Sequence, residues 1–403
     1  MRLYITMKEV YPMLEPAIAQ RMSLLHTESA FQILAKAQAL EAQGRHIIHM
    51  EIGQPDFKTP QNIIDAAYRA MNDGYTGYTP TPGLFCARKA IAEYAARQKN
   101  ITTSADEVVI VPGGKPVMFY TMLMLVNPGD EVVYPNPSFP IYESCINFAG
   151  GVPVPLRLSA ENDFRLDIAE FKRLITPKTK LVIINSPSNP TGGVFTPADV
   201  IAIADILRDR PDIFILSDEI YDRLIFEGEA FSIASLPGFK DRTIILDGFS
   251  KTYAMTGWRL GYAILHPELA AHMSMLMVNS NSCAAAFSQM AAIEALTGPQ
   301  DAVDTMRAAF MERRDVLVEA LGAIDGIRCC LPKGAFYAFP DISSFGIPSE
   351  EFASRLLDEA GVAAAHGTAF GAFGEGYLRL SYATSIENIK IAVERIGRFC
   401  GGL

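Results

Sequence analysis

From residue 108 to residue 265, short apolar runs alternate with helical patterns, and this alternation limits the possible folds more than any other feature. The clearest runs are residues 131–134, 181–185, 213–217 and 243–246, and proline and glycine punctuate them. Apolar runs with no polar alternation suit strands buried on both faces. Strand–helix alternation of this kind predicts an α/β fold with a mostly parallel sheet covered by helices. At 403 residues the chain is too long for one ordinary core. The expected division is a large sheet-bearing domain over residues 60–296 and a smaller α+β domain over 297–403. An N-terminal segment, residues 1–59, joins the smaller domain. Residues 267–296 read as a mostly helical bridge and 299–321 as a helix. Further on, 327–331, 335–339 and 377–381 read as strands, and 349–360 and 386–399 as helices.

The polar residues that interrupt this pattern stand at strand ends. Asp218 closes the run 213–217, and a carboxylate there points into the ligand crevice of an open α/β sheet. Tyr221 follows three residues later. Asn189, in Asn189-Pro190-Thr191-Gly192, follows the run 181–185. Lys251 lies in Asp247-Gly248-Phe249-Ser250-Lys251-Thr252-Tyr253, and Arg259 lies eight residues on. An amine, a carboxylate, a phenol, an amide and a guanidinium are what pyridoxal phosphate needs. The amine forms a Schiff base, and the carboxylate keeps the ring nitrogen protonated as an electron sink. Arg259 offers a charged fork for phosphate. The strand, glycine turn and helix start around Gly113-Gly114-Lys115 add backbone N–H groups for the same anion. Phe139, after Pro135-Asn136-Pro137-Ser138, can stack on the ring. Arg379, among the apolar residues of Leu378-Arg379-Leu380-Ser381-Tyr382, wants an anion such as a substrate α-carboxylate.

Singly, each motif has a plainer explanation. Asn189-Pro190-Thr191-Gly192 is a turn, Gly113-Gly114-Lys115 lacks the P-loop spacing, and Asp218 with Tyr221 is a polar pair at a strand end. Their order carries the cofactor reading. Lys115 stays open between decorating the phosphate loop and meeting a substrate's distal carboxylate. His46 and His49 form an HxxH in an extended run, which sends them to opposite faces and favours structural roles.

With these motifs, and with Glu51-Ile52-Gly53-Gln54-Pro55-Asp56-Phe57, Gly77-Tyr78-Thr79-Pro80, Asn127-Pro128-Gly129-Asp130-Glu131 and Lys333-Gly334-Ala335-Phe336-Tyr337, the chain resembles the class I/II aminotransferases of fold-type I. The resemblance runs from about Pro16 to the C-terminus, and the branch is that of aspartate, alanine and aromatic aminotransferases. It implies pyridoxal 5'-phosphate as cofactor and amino acids and 2-oxo acids, 2-oxoglutarate among them, as substrates. Lys251 is then the Schiff-base lysine and proton shuttle in a ping-pong reaction. Asp218 pairs with the pyridine nitrogen, and Tyr221 and Asn189 take the ring oxygen. Arg259, Ser250 and the loop of Gly113, Gly114 and Lys115 hold phosphate. Arg379, helped by Gly53 and Asn189, holds the α-carboxylate. Tyr78 reaches the phosphate of a second subunit, so a homodimer with shared sites is implied. The resemblance also puts His26 and Phe31 near the site mouth. Phe139 stands where aspartate-type relatives often carry tryptophan and His366 where many relatives carry proline, while Gly248 and Ala30 replace a serine and a threonine of some relatives. A C–S lyase on the same fold is the alternative, because it needs nearly the same residues.

Net charge of −10 argues against nucleic acid or an anionic membrane as partner. The six cysteines form no CxxC or Cys/His ligand cluster, so no metal site is expected, and the pattern suits a reducing cytoplasm. Residues 1–9 lack the apolar core of a signal peptide, and no apolar segment is long enough to span a bilayer.

Overall fold

The computed structural model describes residues 18–25 and 29–403. The N-terminal stretch read above for a signal peptide, and His26, lie outside the described residues.

Seven strands form the central sheet: β1 (Val108–Val111), β2 (Glu131–Asn136), β3 (Val152–Arg157), β4 (Thr179–Asn185), β5 (Phe214–Asp218), β6 (Thr243–Gly248) and β7 (Gly261–Ile264). Their order is β1-β7-β6-β5-β4-β2-β3. All neighbours run parallel except β7, which is antiparallel to both β1 and β6. The apolar runs have no polar alternation because both faces are covered. Leu181, Ile183 and Leu216 pack on the side of helices Lys115–Leu125, Ile141–Ala149 and Pro267–Ser280. Val182, Ile184 and Ile215 pack on the other side, where Phe85–Gln98 and Ala286–Thr297 extend the layer over β1, β6 and β7. Each such side chain, fully buried, contributes about 1.5–3 kcal/mol.

The C-terminal part is less regular. Leu378–Ser381 pairs antiparallel with Tyr337–Ala338 on one side and Ala365–His366 on the other. Ile48–His49, from the N-terminal part, pairs parallel with Val362–Ala363. Helices Asp301–Gly322 and Ile386–Cys400 cover this unit through Phe310, Leu317, Ile389 and Ile396.

One expectation needs correction and two gain detail. Residues 327–331 are not a strand: Arg328 makes an isolated bridge to Asp341, with amide–carbonyl distances of 3.2 and 2.7 Å. Pro332 and Pro340 flank that bridge and supply no N–H to extend a ladder. Residues 267–296 are two helices. The first ends where the amides of Asn281 and Ser282 both bond to the Met277 carbonyl, with Ser282 at φ 64°. The expected helix 349–360 is α-helical over Ser349–Arg355 and closes with a π turn, Leu356–Ala360. Among the described residues no helix is long and apolar enough to cross a membrane.

Candidate active site

Neighbouring parallel strands end together at Asn185 of β4 and Asp218 of β5, which are paired in register. Beside them β6 ends at Gly248 and leads into the turn that carries Ser250 and Lys251. These ends border a cavity of about 580 Å³. Its walls include Lys251, Asp218, Tyr221, Asn189, Ser250, Arg259, Gly114, Lys115, Phe139, Gly53 and Arg379, so one space gathers residues that span more than 300 positions of the chain. Gly113 is not in the wall but lies under Arg259. Tyr78 is also outside it, with its side chain 93% exposed.

Asp218 is buried and accepts from the Tyr142 hydroxyl at 2.5 Å and from the Ile220 amide at 3.2 Å. Burial pushes its carboxyl up to about 6, while the Tyr142 hydrogen bond and the Lys251 charge pull the other way. Lys251 donates to the Gly53 carbonyl at 2.5 Å. The Tyr221 and Tyr337 hydroxyls are 2.8 Å apart, and burial, then Tyr337, raises the Tyr221 phenol. The Asn189 backbone N–H donates to Asn185 Oδ1 at 3.2 Å.

The loop after β1 is shaped by close backbone contact. Gly113 has φ +84°, and a Cβ there would come within 2.0 Å of Arg259 Nη2. A Cβ on Gly261, in β7, would lie 2.8 Å from the Gly114 amide nitrogen. Arg259, itself at φ 53°, is held over this loop by the carbonyls of Thr256 at 3.0 Å and Pro112 at 3.5 Å. Gly248 faces Gly261 across the β6–β7 ladder, where a Cβ would meet Gly261 Cα at 2.9 Å.

Across the cavity, Arg379 is buried in its four-residue strand. Its guanidinium donates to the Glu51 carbonyl and, at 3.2 Å, to Asn189 Oδ1. The rings of Tyr337 and Phe370 lie 4.8 Å from its central carbon. The Lys115 ammonium lies 5.7 Å from the Phe139 ring centre.

Residues 45–396 match the family Aminotransferase class I and II. The chain belongs to this family. An aspartate aminotransferase from Bacillus sp. (strain YM-2) is 43% identical over 95% of this chain and 98% of that protein. An aspartate/prephenate aminotransferase from Cereibacter sphaeroides is 39% identical over 96% and 99%. Among solved structures, the aspartate aminotransferase from Thermus thermophilus with maleate superposes with a TM-score of 0.90 at 37% identity, covering 94% of this chain and 99% of that one. The protein is therefore a fold-type I aminotransferase that uses pyridoxal phosphate to transfer an amino group to a 2-oxo acid. These relatives do not support the lyase alternative.

Two features of this aminotransferase fit the cofactor. At one end the Arg259 guanidinium, held over the glycine loop, and the helix start at Gly114 and Lys115 border the cavity, a setting that suits an anion. At the other, Asp218 is a buried carboxyl raised by desolvation, which an adjacent pyridinium would bring down by supplying the opposite charge.

The sequence reading did not assign Tyr142 and Tyr337. Tyr142 sits three residues beyond Phe139 in helix Ile141–Ala149, one turn away, and that spacing is the only local signal. Tyr337 lies in a motif noted for resemblance but given no role. Ala30 and Phe31 line the cavity. His366 does not; its Nδ1 lies 2.7 Å from Thr368 Oγ1. His49 is bound between Glu41 and Glu51, and His46 receives Arg395.

Proposed function

We propose that this aminotransferase moves the amino group of a dicarboxylic amino acid, aspartate or glutamate, to 2-oxoglutarate or oxaloacetate by ping-pong turnover. The observation that carries this reading is that Lys115 and Arg379 both line the one cavity that contains Lys251. Two carboxylates on one substrate call for two cations, and a guanidinium grips an α-carboxylate in two-pronged fashion. The relatives named for aspartate, and the maleate of the Thermus thermophilus structure, point the same way.

Pyridoxal phosphate, when bound, supplies the electron sink that lets the α-proton of an amino acid leave. The residues divide the remaining work. Arg259, Ser250 and Gly114 hold phosphate, and Gly113 lets the loop pass close beneath Arg259. Asp218, with Tyr142 donating to it, holds the proton on the pyridine nitrogen by charge. Tyr221 and Asn189 hold the ring oxygen, and Phe139 covers the ring. The Lys251 amine would move the proton on and off the substrate Cα as general base and acid. Arg379 orients the α-carboxylate so that this proton faces Lys251, an ordering that replaces a random encounter.

The test is a half-reaction panel of aspartate, glutamate, alanine and phenylalanine. Dicarboxylates should lead in kcat/KM. Lys115→Ala should lower them by about tenfold to a hundredfold, the loss of one charge-assisted contact, and leave alanine unchanged. Equal losses for all donors would return Lys115 to the phosphate loop.

We also infer a dimer with shared sites, in the cytoplasm. Tyr78 is exposed and does not line its own cavity, and Tyr68, Met275 and Val278 are exposed apolar side chains. Mixed Tyr78→Phe and Lys251→Ala subunits should regain activity above either parent, since one site of each heterodimer carries neither change. No gain after proven exchange would remove the shared site.

A further inference from the structure

Outside the cavity wall, one buried ammonium meets three buried carboxylates. Lys99 Nζ lies 2.9 Å from Glu219 Oε2 and 3.1 Å from Asp247 Oδ2, and it also donates to Asp222 Oδ2. None of these side chains is more than 9% exposed. The hydroxyls of Ser217 and Ser232 donate to Glu219 Oε1 at 2.8 and 2.5 Å. The Gly248 amide and the Tyr262 hydroxyl donate to Asp247 at 2.7 and 2.8 Å. Tyr94, Tyr253 and Arg223 complete the charged and titratable surroundings.

The chain positions of the acids are informative. Glu219 follows Asp218, Asp222 follows Tyr221, and Asp247 stands four residues before Lys251. Each carboxylate is thus tied through a few backbone bonds to a residue of the cavity. Lys99 comes from elsewhere, at the end of helix Phe85–Gln98, 120 residues before Glu219. A buried ion cluster is a weak stabiliser, because desolvation offsets its Coulomb attraction. Its firm consequence is geometric, since several directed contacts to one atom hold separate segments together.

We infer that Lys99 is a positioning residue for the cofactor site. By gathering Glu219, Asp222 and Asp247 on one ammonium, it fixes the segments carrying Asp218, Tyr221 and Lys251 relative to one another and balances the charge behind them. The inference rests on the roles proposed above for Asp218 and Lys251. Electrostatics agree with it. Burial opposes the Lys99 charge, but Asp222, Asp247 and Glu219 overcome this and hold the ammonium well above its usual range. The Glu219 charge also bears on Asp218, raising it, so a cation on Glu219 shields the carboxylate that serves the pyridine nitrogen.

The experiment compares the holoenzyme with Lys99→Met, with Asp222→Asn, and with a triple variant, Lys99→Met, Glu219→Gln, Asp222→Asn. Three quantities are measured: the pKa of the bound cofactor's pH-sensitive absorbance band, the cofactor dissociation constant, and the melting temperature of the cofactor-free form. Lys99→Met removes a cation near the chromophore, so the band's pKa should rise, and cofactor binding should weaken by about tenfold or more. Asp222→Asn should lower the band's pKa. The triple variant should recover most of the affinity. A cluster that only stabilises the fold would lower the melting temperature and leave band and affinity at wild-type values, and that result overturns the inference. So does a triple variant that recovers nothing. If Lys99→Met does not fold, an unchanged band pKa in Asp222→Asn overturns it equally. Lys251→Ala, measured alongside, should lose the band. A band retained there would sink the lysine assignment itself, and so separates failure of that reading from failure of the Lys99 inference.

Discussion

Asn185, Asp218 and Lys251 reach the cavity at or just past the ends of three adjacent parallel strands, seven, five and six residues long. Arg379 reaches it from a four-residue strand whose two partners are two residues each. On the first side, the sheet ladder sets positions: Asn185 lies opposite Asp218 because every preceding pair from Leu181 and Phe214 is in register. On the second side, little ladder exists. Arg379 is held instead by the Glu51 carbonyl, 328 residues away in sequence, by Asn189, 190 residues away, and by two aromatic rings. The side that is to hold the cofactor is thus built on a rigid sheet. The side that is to hold the substrate carboxylate is built from long-range contacts, each of which depends on how the C-terminal part docks.

The contrast predicts separable lesions. The largest effect is expected on the sheet side. On the role proposed for Asp218, Asp218→Ala leaves a bound pyridinium without its buried partner. Breaking such a pair costs about 3–5 kcal/mol, a loss of about two to four powers of ten in kcat. Some cofactor should stay bound through the phosphate loop. A kcat within tenfold of wild type would assign the pyridine nitrogen to another residue.

A smaller and differently distributed loss is expected on the other side. Arg379→Lys keeps the charge but not the planar fork. It should lower kcat/KM for every amino donor alike, by about tenfold to a hundredfold, with cofactor affinity unchanged. If cofactor affinity fell in parallel, the two sides would be one energetic unit and the comparison would fail.

The smallest effect concerns the support of Arg379. Glu51, whose carbonyl receives Arg379, is bonded through its side chain to His49 at 2.8 Å. That hydrogen bond, against some burial, raises the His49 imidazole from its usual 6.5 to about 9. A histidine raised on folding stabilises fully below its unfolded pKa and loses that contribution as pH rises through the folded value. The stability difference between wild type and His49→Gln, read by thermal melts, should be present near pH 6 and fade above pH 9. His49 is partly exposed, so the difference should stay below about 1 kcal/mol. A difference constant with pH would remove the ion pair as its cause.

The two sides also differed in how far they could be read beforehand. Asp218 and Lys251 stood out because they interrupt or follow apolar runs whose strand character is local. The glycine loop after β1 was legible for the same reason, as strand, turn and helix start follow one another directly. Arg379 was legible as a cation among apolar residues, but its partners were not. Tyr142 carried no signal beyond its spacing from Phe139, and nothing around Lys99 announced three carboxylates. In the C-terminal part, residues 327–331 looked like a strand by composition, yet prolines at 332 and 340 leave a single bridge.

The sequence by itself therefore determined the mostly parallel sheet, the strand ends, the glycine loop and most of the polar residues that line the cavity around Lys251. Hydrophobic period and turn chemistry act over a few residues and are written in neighbours. The tertiary structure alone decided which hydroxyl meets Asp218 from 76 residues away, which two rings flank Arg379, and which three acids share Lys99. Those choices depend on loop closure and close packing between segments far apart in the chain, and no local pattern carries them.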